Sequence, residues 1–119
     1  MSLLELHTVW AWVVVVGNAL AGAWCLGAHW WAPMRVRGMW GAVVTVQVTI
    51  FVQVILGVYL VAAEGIEAPA MHMFYGFISI VAVAILYGYR SQLRAWQYLL
   101  YGLGGLFLMG LGIRAMFLA

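Results

Sequence analysis

Apolar residues run almost unbroken through four stretches, Leu3–Trp31, Met39–Ala63, Pro69–Tyr89 and Gln92–Leu118, with polar side chains gathered at the breaks between them. Each stretch is long enough for a helix rising about 1.5 Å per residue to cross a hydrocarbon core of about 30 Å. The strict alternation of a barrel strand is absent, and an open sheet edge in lipid would leave backbone groups unpaired, so all four are expected as helices. The breaks are Ala32-Pro33 with Arg35-Val36-Arg37-Gly38, then Glu64-Gly65-Ile66-Glu67-Ala68-Pro69, then Arg90-Ser91-Gln92. Connections this short make consecutive helices antiparallel neighbours. The pattern predicts an all-α membrane protein, a single domain over residues 1–119 built as an up-down bundle of four transmembrane helices.

Helix starts are legible too. Ser2-Leu3-Leu4-Glu5 has the form of a capping box, and Pro69 suits the first turn of the third helix. His7 and His72 then each fall about one turn inside a helix end, at matched depth on the same side.

Composition excludes a water-soluble globule. The 119 residues are 68% hydrophobic and 7% charged, with a mean hydropathy of +1.10, against about 45–50% and 25% in soluble domains. Disorder is excluded by the same figures. Five arginines and three glutamates give a net charge of +2. Arg35, Arg37, Arg90 and Arg94 lie in the first and third connections, opposed by Arg114 alone, while the second connection carries Glu64 and Glu67. The positive-inside rule makes the Arg loops cytoplasmic and sets both termini outside, in what is expected to be a bacterial plasma membrane. Arginines divided between two membrane faces form no nucleic-acid groove, and anionic lipid headgroups are their expected partners. Cys25 stands alone, which excludes an internal disulfide and a paired-thiol relay. No basic residue precedes the first apolar run, so that run is expected to be a permanent span.

At about 100° per residue, one stripe of the first helix carries His7, Ala11, Asn18, Gly22 and Cys25, and one of the third carries His72, Gly76, Ser79 and Tyr87. In lipid, stripes of small and polar residues mark packing faces. His7 and His72 are candidate axial ligands of a haem b, because imidazole suits haem iron and helical bundles build cofactor sites from facing side chains. Ala11 and Gly76 leave room for a flat macrocycle one turn inward, with Tyr75 in the same pocket. A quinone fits the same surroundings, hydrogen-bonded by His7, His72, Tyr75, Tyr59 or Glu64. A metal is expected only through His7 and His72 as haem ligands.

Asn18, Thr49, Gln53 and Ser79 would line the path of a small homo-oligomeric channel or transporter, although no ionisable group accompanies them in the span centres. Thr45, Thr49, Gln53 and Asn18 are expected chiefly as interhelical hydrogen bonds, worth about 0.6 kcal/mol each. The fourth helix is rich in glycine, with Gly102, Gly105 and Gly112 on one face. That face is expected to pack closely on another helix, with self-association or docking to other integral subunits favoured. The functional expectation is a small non-catalytic integral subunit of a respiratory or otherwise energy-transducing membrane complex. The alternatives are a haem b or quinone-binding electron carrier using His7 and His72, and a channel or transporter.

Overall fold

The computed structural model describes residues 1–119 and contains helices without strands. Four helices are long and apolar enough to cross a membrane: α1 (Leu3–Trp30), α2 (Arg37–Ala62), α3 (Ala70–Tyr89) and α4 (Gln97–Phe117). Short 3-10 turns at Ala32–Met34 and Arg94–Trp96 lie before α2 and α4. The bundle is 48 Å along its longest axis, longer than a hydrocarbon core of about 30 Å.

Local chemistry accounts for most of the boundaries. The Ser2 side chain accepts from the Glu5 backbone N–H at 3.1 Å, which is one half of the capping box. Pro69 caps α3 from just outside its first turn. Arg35 closes the other end of α1, its Nε donating to Ala28 O at 2.6 Å and its other guanidinium nitrogen to His29 O at 2.8 Å. The one positive φ, 66° at Gly65, lies in the connection after α2, a conformation that costs glycine nothing sterically. The fourth helix begins at Gln97 rather than Gln92. Leu93 and Trp96 read as part of an apolar span, yet they form the connection, where Leu93 N bonds Tyr89 O at 3.0 Å and Trp96 N bonds Leu93 O at 2.9 Å.

Helix α1 is the hub, packed against α2 on one side and α4 on the other; α3 packs on α4. Helices α2 and α3 touch at few points, so the ring of four is least closed along the α2/α3 seam. Only 20 of 119 residues are buried, and Leu20, Ile55, Phe77 and Phe107 all point outward. An apolar exterior of this kind is compatible with lipid contact.

The closest helix contact is between α1 and α4. A Cβ at Gly105 would lie 2.8 Å from Gly22 Cα, and one at Gly102 would lie 2.8 Å from Leu26 N. Gly112 faces Val15 in the same interface. Gly102, Gly105 and Gly112 are therefore taken up by the contact with α1, inside the chain. Once α1 sits against Gly102 and Gly105, no other helix can approach the same backbone.

Of the expected interhelical glue, Gln53 does bond another helix, whereas Asn18, Thr45 and Thr49 do not, and neither does Ser79. Asn18 Nδ2 donates to Val14 O at 2.8 Å, Thr45 Oγ1 to Gly41 O at 2.7 Å, Thr49 Oγ1 to Val46 O, and Ser79 Oγ to Tyr75 O at 2.9 Å. All four bond back into their own helices, which short side chains reach more easily than a neighbouring helix. Bonds between helices come instead from longer groups. Trp10 Nε1 donates to Thr49 O at 2.9 Å and Gln53 Nε2 to His7 O at 2.7 Å.

Candidate functional site

The two histidines that the sequence placed at equal depth do meet. Their ring centroids are 6.1 Å apart with the planes at 78°. His7 comes from α1 and His72 from α3, and both are half-buried. His72 Nδ1 lies 2.7 Å from Ala115 O on α4. A carbonyl can only accept, so Nδ1 carries the proton, and in the neutral ring Nε2 has the lone pair.

Helix α2 contributes Gly57 and Gln53, one turn apart on the face toward His7. A Cβ at Gly57 would stand 3.2 Å from His7 Cε1, so the imidazole occupies the space that a side chain there would fill. Gln53 reaches across to the His7 carbonyl. Two buried polar atoms in this cluster lack partners, His7 Nδ1 and Gln53 Oε1.

The remaining sequence candidates divide into two groups. Gly76 lies one turn from His72, and a Cβ there would meet nothing within 4 Å. Ala11 is half-buried one turn along α1 from His7. Tyr75 is half-buried against the cluster around Val83 and Leu108, its ring 5.7 Å from Phe74. Tyr59 and Glu64 are exposed. Asn18, Thr49 and Ser79 are buried farther along the helices, each bonded to a carbonyl of its own helix. Gln53 is the member of the polar set that belongs to the histidine cluster.

A separation of 6.1 Å between imidazoles has two physical readings. Edge-to-face aromatic pairs span about 4.5–7 Å. Two imidazoles at this distance would also serve to hold one haem iron between them. Beside the pair stand a ring nitrogen held on a backbone carbonyl and open space at Gly76. No three His, Cys, Asp or Glu side chains converge on one point. Two histidines leave half of a tetrahedral site unfilled, whereas a macrocycle brings its own four equatorial nitrogens.

No family model, curated protein or solved structure matches this chain.

Sequence reasoning missed Gly57 and Ala115. Ala115 acts through its carbonyl and Gly57 through the absence of a side chain, and neither carries a sequence signature. The i, i+4 spacing of Gln53 and Gly57 on the helix after His7 was the one available signal.

Proposed function

We propose that this chain is an integral membrane electron-transfer subunit that holds one haem b between His7 and His72. The observation that carries the reading is the 6.1 Å separation of the two imidazoles. Ala115 O, by fixing the His72 proton on Nδ1, leaves Nε2 available as a ligand. Gly57 admits the His7 ring, and Gly76 leaves free space beside His72. The sparse contact of α2 with α3 offers a lateral entrance for a flat apolar ligand. A haem held there supplies one-electron transfer, and the protein supplies orientation and an apolar surround.

The topology proposed with this function is antiparallel and up-down. Contacts between α1 and α2 support it: His7 meets Gln53, Trp10 meets Thr49 and Gly17 meets Val46, so positions rise along α1 as they fall along α2. The Arg-bearing connections are assigned to the cytoplasm and both termini to the outside of a bacterial plasma membrane. The histidine pair then lies near the outer surface. In this reading the chain's role is to pass electrons within a larger respiratory or energy-transducing assembly of integral subunits.

The test is the optical spectrum of the detergent-purified chain before and after dithionite. About one haem b per chain, with a Soret band and a reduced α-band that disappear in His7→Ala and His72→Ala, is the expected result. A wild-type preparation that stays colourless after expression with excess haem and titration with haemin overturns the reading.

A further inference from the structure

His72 and His7 stand in different hydrogen-bonding conditions. The His72 ring is held by a backbone carbonyl at 2.7 Å. His7 Nδ1 is buried and has no partner. A buried N–H without an acceptor costs about 1–3 kcal/mol, so an acceptor close at hand determines how the ring settles.

Gln53 supplies one. Its Nε2 donates to His7 O at 2.7 Å, which fixes the amide against the first turns of α1. Its Oε1 is the other buried polar atom without a partner. In its Nδ1–H tautomer the His7 ring has an unpaired donor to match the unpaired Gln53 acceptor, on two residues already joined by a hydrogen bond. A rotation of the imidazole that brings Nδ1 to Oε1 would close the bond between them.

We propose that Gln53 is the positioning residue for His7, its Oε1 accepting the Nδ1 proton so that the Nε2 lone pair is directed at the site shared with His72. The assignment rests on the haem reading for its purpose, but the tautomer it sets is a property of the chain without cofactor. Gln53 would hold His7 by both of its amide groups, Nε2 on the carbonyl and Oε1 on the ring. In this scheme each histidine donates Nδ1–H to an oxygen, one from a side chain and one from the backbone. The two ligands then differ in tunability. The acceptor for His72 cannot be altered by substitution, whereas that for His7 can be strengthened to a carboxylate or removed.

The experiment uses the full chain in detergent and the variants Gln53→Leu and Gln53→Glu. Nitrogen NMR of 15N-histidine-labelled protein without haemin reports the His7 tautomer. Haemin titration, low-spin EPR and redox titration report the ligated state. Expected results are an Nδ1–H tautomer for His7 in the wild type and in Gln53→Glu, and its loss in Gln53→Leu. Gln53→Leu weakens haemin binding about 10- to 100-fold, the usual cost of removing an outer-shell partner of a metal ligand. Gln53→Glu retains binding and lowers the reduction potential, because a carboxylate makes the imidazole more electron-donating. A His7 tautomer unchanged in Gln53→Leu assigns the acceptor elsewhere, for example to the Gln53 backbone carbonyl, and overturns the proposal. So does haem binding with the same affinity, EPR signal and potential in all three proteins. If the wild type takes up no haemin, the haem reading fails while the tautomer measurement still decides the role of Gln53.

Discussion

His72 donates from Nδ1 to the Ala115 carbonyl, 2.7 Å away on the last turn of α4. One side chain therefore ties α3 to α4 and fixes which of its own nitrogens is free. The two tasks are separable by substitution. His72→Asn keeps an N–H at the position of Nδ1 but removes the imidazole ligand. Its fold is expected to lie within about 1 kcal/mol of the wild type, with the reduced α-band abolished. His72→Ala loses both, so comparing the unfolding of the two variants in SDS measures the tie separately from the cofactor.

Gly57 has a steric role. Because a Cβ there would stand 3.2 Å from His7 Cε1, Gly57→Val forces the ring out of place. Haemin affinity is expected to fall at least about tenfold, in line with other losses of ligand support. The elution volume and helical circular dichroism of the variant should remain those of the wild type.

Glycines of α4 differ sharply in what a side chain would meet. Gly105→Val places atoms where Gly22 now sits at 2.8 Å from the Cβ position, and overpacking of this kind costs about 1–3 kcal/mol. Nothing lies within 4 Å of a Cβ at Gly110, so Gly110→Ala is expected to be neutral or to stabilise by up to about 1 kcal/mol through helix propensity. Equal effects of the two substitutions in a denaturation series would contradict the α1/α4 contact described above.

Trp10 bonds Thr49 O through its indole N–H at 2.9 Å. Trp10→Phe retains the aromatic bulk and removes the donor, and is expected to destabilise by about 0.6 kcal/mol, the average for hydrogen bonds between membrane helices. Thr49→Val leaves that carbonyl in place, so the Trp10 bond survives it; double-mutant analysis should find the two substitutions additive to within about 0.5 kcal/mol.

The spans were legible in the sequence because a run from Leu3 to Trp31 without a break has no fold in water. The pairing of His7 with His72 was legible as well, since counting turns from Ser2 and from Pro69 puts them level. Rotation about each helix axis was not. A soluble helix declares its inner face through its polar outer one, but in these helices Leu20 and Phe107 point outward while Val14 and Leu108 point inward. With both faces apolar, the sequence could not say whether Gly102 and Gly105 meet α1 or another protein. Gln53 was legible as a bond between helices, whereas Thr45 and Thr49, grouped with it by i, i+4 spacing, bond their own helix because their hydroxyls are too short to reach another.

The hub position of α1 has a consequence for biogenesis. Helix α1 leaves the ribosome before α2 and α3, yet its tightest partner, α4, comes after all three. The chain must therefore hold Gly22 open until α4 is released. His7 and its α2 contacts can form early, but His72 gains its Ala115 anchor only when α4 docks. Insertion order thus makes the histidine pair complete only once α4 has docked, and the site matures together with the four-helix bundle.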